Sequence, residues 1–121
     1  MAKVVLLGLE IAAARQIERA LQDENHRVVN KTFEAPDTEV LDADIVFASG
    51  EGEQYLALLK RVRAANSALP FVVVTRLPET SHWLDALEAG ATDYCSAPFE
   101  PHQLRWLMES ALARTCPAAA A

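Results

Sequence analysis

Two hydrophobic rhythms alternate along this chain. The first is the unbroken apolar run: "KVVLLG" (residues 3–8) is β-branched and continuous, as expected of a strand buried on both faces. The second is helical spacing: Ile11, Ala14, Ile17 and Leu21 recur through a segment rich in Ala, Arg, Gln and Glu. "HRVVNKTF" (26–33) is a second, more polar strand, expected nearer an edge, and "DIVFAS" (44–49) is a third. "EQYLALLKRVRAANS" (53–67) predicts a helix with Tyr55, Leu59 and Val62 on one face and basic residues near its carboxyl end, where the helix dipole favours them. "LPFVVVT" (69–75) is a fourth strand, entered through Pro70. "SHWLDALEAG" (81–90) is a helix closed by Gly90, a good left-handed cap, with Leu84 and Leu87 expected to be buried. "TDYCS" (92–96) is the fifth and shortest strand. From Pro101, a favoured first helical position, Leu104, Leu107, Met108, Ala111 and Leu112 mark the last helix.

Five strands alternating with helices imply an α/β domain: one parallel sheet, covered on both faces and joined by right-handed crossovers. The connection "EAPDTEVLDA" (34–43) has room for about one or two turns, so the second helix is expected to be shortened. Residues 1–116 are read as one domain and 117–121 as a disordered tail.

Composition narrows the function classes. With 51% hydrophobic and 23% charged residues over 121 positions, the chain has a globular profile and enough length to bury a core without staples. Its formal charge of −6 repels phosphate backbones, which argues against nucleic-acid binding by this domain alone. No apolar run approaches the roughly 20 residues of a membrane helix, and no signal peptide precedes the first strand. Cys95 and Cys116 make neither a disulfide framework nor a zinc site, so the expectation is a cytoplasmic chain with reduced thiols. His26, His82 and His102 lack metal-ligand spacing. "GLEIAAA" after the first strand lacks the G-x-G-x-x-G of a dinucleotide site, and Glu10 would oppose a pyrophosphate there. No metal and no cofactor are expected.

In an open parallel sheet, ligands sit at the carboxyl ends of the strands. The third strand, "DIVFASG" (44–50), ends there in only a serine and a glycine. "LPFVVVT" followed by "ALEAGATDYCSAPFEPHQL" resembles the second half of a response-regulator receiver domain, specifically over residues 69–108 and by element order over nearly the whole chain. The resemblance implies a flavodoxin-like, doubly wound (βα)5 fold of strand order 2-1-3-4-5, with a site above strands one and three. It implies a site that takes a phosphoryl group from a histidine kinase onto an aspartate, with Mg²⁺ held by an acid pair, a lysine on the fifth-strand loop and a hydroxyl on strand four. Here the acid pair falls on Gly8 and Leu9, the nucleophile on Ser49, the lysine on Ala97 and the hydroxyl on Thr75. Thr75 alone has the family's side chain. Gly8 and Leu9 offer Mg²⁺ no side-chain oxygen, and Ser49 cannot form an acyl phosphate, so the pocket is read as degenerate and the chain as no enzyme.

Substitutes and switches are weighed in the same frame. Glu10 and Glu51 are candidate replacement acids, although the preferred reading makes them solvated residues at helix starts. Arg76 either lies across the emptied pocket or faces solvent. In the family an aromatic on strand five swings inward with the strand-four hydroxyl, which makes Thr75 and Tyr94 the corresponding pair; the alternative packs Tyr94 at the sheet edge with a wet hydroxyl. Trp83, Tyr94, Trp106 and Leu107 are candidate interface residues on the face of the fourth helix, fifth strand and fifth helix, through which receivers commonly associate. The resulting expectation is an atypical receiver in two-component signalling that works as a phosphorylation-independent interaction module, with a protein partner or as a homodimer. The alternatives are a small-ligand or anion sensor using Arg76 and Thr75, and a phosphoacceptor using Glu10 or Glu51 for metal.

Overall fold

The structure, a computed structural model, describes residues 3–22, 26–50, 54–75, 80–96 and 101–114. Its elements are β1 (Lys3–Leu7), α1 (Ile11–Gln22), β2 (Arg27–Lys31), α2 (Asp37–Leu41), β3 (Ile45–Ser49), α3 (Gln54–Ala65), β4 (Phe71–Thr75), α4 (Thr80–Glu88), β5 (Asp93–Ser96) and α5 (Pro101–Arg114). The strands form one parallel sheet in the order β2-β1-β3-β4-β5, the flavodoxin-like arrangement expected from the sequence.

The alternation of side chains along each strand divides the core in two. Val4 and Leu6 of β1, Ile45 and Phe47 of β3, and Val72 and Val74 of β4 face α1 and α5, where Ala14, Ile17, Leu21, Leu104, Leu107 and Met108 meet them. Val5, Leu7, Val46, Ala48, Phe71 and Val73 face the other way, against Val40 of α2, Tyr55, Leu59 and Val62 of α3, and Ala86 of α4. Each Val, Leu, Ile, Phe or Met side chain so taken out of water contributes about 1.5–3 kcal/mol, which is why the central strands are apolar except at their ends, Lys3, Ser49 and Thr75. Edge strand β2 pairs only with β1 and is correspondingly polar and half-exposed.

Helix α2 is the stub that the ten-residue connection allows. Five residues follow Pro36, and only Val40 is buried. Asp37 anchors it to α3, accepting from Arg61 Nε at 2.9 Å and Nη2 at 3.3 Å.

Three expected core positions are corrected. Ile11 is 73% exposed, because it opens α1 one turn ahead of the point where the buried stripe meets the sheet. Leu84 and Leu87 of α4 are also exposed; this short helix turns the small Ala86 toward the sheet and packs through it. Ala111 and Leu112 have side chains outside the described residues, as do residues 117–121 altogether.

At the opposite end of the sheet from the strand carboxyl ends, Arg63 does more than complement the α3 dipole. Its Nε donates to the Gly90 carbonyl at 2.7 Å and its Nη1 to the Leu69 carbonyl at 2.6 Å, while Nη2 reaches Thr92 Oγ1 at 3.4 Å. Thr92 Oγ1 in turn accepts from the Phe71 backbone N–H at 3.0 Å. One guanidinium thus ties the end of α3 to the entries of β4 and β5, beside the left-handed Gly90 (φ +104°) that closes α4. Arg63→Ala is expected to lower the unfolding free energy by about 2 kcal/mol, the scale of hydrogen bonds from a charged donor. Arg63→Lys should recover only a small part, since an ammonium lacks the planar fork. Urea denaturation measures both, and an Arg63→Ala midpoint equal to wild type would contradict the bracing role.

Candidate functional site

Strand order reverses at β1, with β2 on one side and β3 on the other. That divergence opens a crevice above the carboxyl ends of β1 and β3. The crevice is a shallow cleft of about 450 Å³, lined by Gly8, Glu10, Thr32, Phe33, Glu34, Ser49 and Gln54. The fold therefore gathers Gly8 and Glu10 of the β1–α1 connection, Phe33 of the β2–α2 connection and Ser49 at the end of β3 into one place.

Gly8 directly follows β1, with φ +65° in the left-handed region that only glycine enters freely. Its N–H donates to the Lys31 carbonyl at 3.0 Å, extending the β1–β2 pairing by one rung. A side chain at this position would begin 2.6 Å from Phe33 Cε2 and 2.9 Å from Cδ2. Real Cβ atoms essentially never come so close to another heavy atom. The Phe33 ring, packed against the α2–α3 side of the core, thus stands where a residue-8 side chain would have to start.

The neighbouring positions follow from the local chain. Leu9 packs against the α1–α5 side of the core and borders the adjoining hollow beside β2. Glu10 is exposed at the start of α1, where its carbonyl accepts from the Ala14 N–H at 2.9 Å. An acid suits this end of the helix dipole, as the preferred reading of Glu10 has it. Ser49 closes β3, opposite Val74 of β4, and is half-buried at the cleft wall. Thr75 closes β4 at 4% exposure and does not line the cleft. Glu51, Arg76 and Ala97 lie outside the described residues, as does the side chain of Trp83.

Register places Tyr94 opposite Val73, so Tyr94 shares a sheet face with Thr75, two positions further along β4. Tyr94 is 9% exposed and packs with the core beside α4. Its phenolic oxygen is buried, which goes against the alternative of a wet hydroxyl at the sheet edge. Leu107, expected at an interface, is instead core: it is buried with Leu104 and Met108, its neighbours at helical spacing. Trp106, by contrast, is 61% exposed.

Phe33, Thr32, Glu34 and Gln54 were not legible as site residues. Phe33 ends the polar run read as the second strand, and nothing local marks its meeting with a glycine far back in the chain.

No protein-family model matches the chain. Over 108 residues it is 29% identical to the transcriptional regulatory protein ZraR of Escherichia coli O157:H7, a match covering 89% of this chain and 22% of that protein. The chain thus spans less than a quarter of that curated relative. Among solved structures, NtrX from Brucella abortus in complex with ADP superposes with a TM-score of 0.83 at 21% identity, over 97% of this chain and 27% of that one. A CheY-like response regulator receiver domain protein from Methanospirillum hungatei JF-1 gives a TM-score of 0.81 at 15% identity, over 98% of both chains. The chain thus shares the fold of both solved structures and is similar in sequence to one part of a transcriptional regulatory protein.

Mg²⁺ is the ion this fold family implies, and it demands near-octahedral oxygen ligands with one or two carboxylates among them. Gly8 carries none, the space beside it belongs to an aromatic ring, and Leu9 is apolar. Glu10 and Glu34 leave two exposed carboxylates at the rim. Among the described residues, no group of three or more His, Cys, Asp or Glu side chains could hold a metal. The described residues do not fit the ion. Gly8→Ala is expected to destabilise the fold by about 1–2 kcal/mol from the left-handed backbone alone, and by more once the ring must move. Thermal or urea unfolding reads this directly, and a neutral Gly8→Ala would refute the close approach of Phe33.

Proposed function

We propose that this chain is an atypical receiver domain of a two-component signalling pathway, acting as a phosphorylation-independent, non-enzymatic protein-interaction module. One observation carries the reading: at the carboxyl end of β1, where the family's acid pair would stand, a left-handed glycine is covered by the Phe33 ring. Phosphoryl transfer depends on positioning and charge neutralisation around a metal ion. Ser49 in a cleft without that charge is neither an acyl-phosphate former nor an activated nucleophile. The domain is placed in the cytoplasm, consistent with the absence, among the described residues, of a helix long and apolar enough to cross a membrane.

Thr75 and Tyr94, buried on one sheet face, form the retained half of the family's switch. Without a phosphoryl group, a partner must bias it by binding one arrangement better than the other. The partner surface is assigned to the α4–β5–α5 side, where Trp106, Leu84 and Leu87 are exposed and Trp83 lies in the α4 sequence. Tryptophan is the residue type most enriched among interface anchors. A second copy of the chain is the simplest occupant, and the net charge of −6 disfavours a nucleic acid.

The two other readings draw less support. An anion sensor would set its ligand beside Glu10 and Glu34, which repel it. A phosphoacceptor using Glu10 would recruit an exposed acid at a helix start. Incubation with acetyl phosphate and Mg²⁺ is expected to add no phosphoryl mass to the intact protein. A stoichiometric, Mg²⁺-dependent adduct would overturn the phosphorylation-independent reading. For the interface, Trp106→Glu is expected to shift a concentrated sample from dimer to monomer in sedimentation velocity; an unchanged distribution would remove Trp106 from the contact.

A further inference from the structure

We infer that Phe33 is the residue that decides what the cleft excludes: while its ring covers position 8, restoring carboxylates cannot rebuild a divalent-cation site. This deepens the proposed function and rests on its reading of the cleft as one without phosphoryl chemistry. It goes further by separating two reasons for silence, missing acids and an occupied space.

The backbone is not the barrier. Gly8 sits at φ +65°, a conformation that aspartate and asparagine enter more readily than other non-glycine residues. An aspartate could therefore follow this chain path at moderate cost. The ring is the barrier. A Cβ at position 8 would already lie 2.6 Å and 2.9 Å from two Phe33 carbons, and the carboxyl carbon comes one bond further out.

A shift of Phe33 would disturb contacts of the ring, and the backbone that carries it is tied down. The ring is partly buried against the α2–α3 side of the core. Its loop is fixed to the end of β1 by the Gly8 N–H on the Lys31 carbonyl, two residues before the ring. A turn closes the loop, with the Ala35 N–H on the Thr32 carbonyl at 3.1 Å and the Glu34 N–H on Thr32 Oγ1 at 3.3 Å. Lys31 reaches forward to Glu39 of α2 at 3.2 Å. The hydrogen bond that Gly8 makes is thus the one that presents Phe33 to it. An ion that keeps several waters also gains nothing from aromatic carbons in its place.

Four chains test this: wild type, the acid variant Gly8→Asp/Leu9→Asp/Ser49→Asp, Phe33→Ala, and the acid variant combined with Phe33→Ala. Mg²⁺ is titrated into each by calorimetry. The acid variant is expected to bind no better than wild type, and adding Phe33→Ala to tighten its binding by at least about tenfold. Equal binding by the acid variant with and without Phe33, or no gain in the combined chain, overturns the inference. Saturable Mg²⁺ binding by wild type would instead strike at the proposed function, whatever Phe33 does to the acid variants.

Should the triple substitutions fail to fold, a double-mutant cycle still decides. Gly8→Ala is expected to lower the melting temperature of wild type clearly more than that of Phe33→Ala. Equal losses in the two backgrounds would overturn the inference.

Discussion

Position 8 and position 33 compete for one small volume at the mouth of the sheet. Their separation in the folded chain is fixed by the β1–β2 pairing, which brings Lys31 beside the end of β1 and makes the next loop arch over Gly8. With glycine at one position and phenylalanine at the other, the competition is resolved in favour of the ring. The alternative resolution would seat a side chain at position 8 and expel the aromatic. Among the described residues that line the cleft, the carboxylates are those of Glu10 and Glu34, both exposed at its rim.

The consequences reach the far side of the sheet. A receiver couples events at its cleft to the surface beside β5 through the ends of β3 and β4 and the aromatic on β5. Here Ser49, Thr75 and Tyr94 hold those places, and the last two are buried on the same face. In the proposed function, these are the mechanical parts of a switch whose ionic trigger is replaced by packing. In the proposed reading, a partner that binds the β5 side supplies the bias, limited by its difference in affinity for the two arrangements.

Much of the architecture was legible in the sequence because strands buried on both faces leave a continuous signal. Val4–Leu7 and Phe71–Val74 are apolar at every position, and the structure divides each run between two core layers. The shortened α2 was legible from chain length alone. Burial on short helices was not. Leu84, Leu87 and Ile11 have helical spacing, yet spacing does not say which arc of a short helix meets the sheet, and α4 chose Ala86. Leu107 was misplaced by the opposite error, since an i, i+3, i+4 stripe is wide enough to take it along with Leu104 and Met108. Arg63 read as a dipole partner, and its contacts with Gly90, Leu69 and Thr92 arise only when three loops converge. The emptied acid positions could be named residue by residue from the resemblance. The ring standing in their place could not, because it depends on a tertiary contact that neither residue announces.

The most direct measurement is a pair of two-dimensional amide spectra of the wild-type chain, with Mg²⁺ alone and with Mg²⁺ plus beryllofluoride, a mimic of a bound phosphoryl group. If the ring owns the space, the resonances of Gly8, Ser49, Thr75 and Tyr94 stay where they are in both. Saturable movement of those four resonances on adding beryllofluoride would mean that the cleft accepts the ion and the phosphoryl mimic, and that Phe33 does not close it.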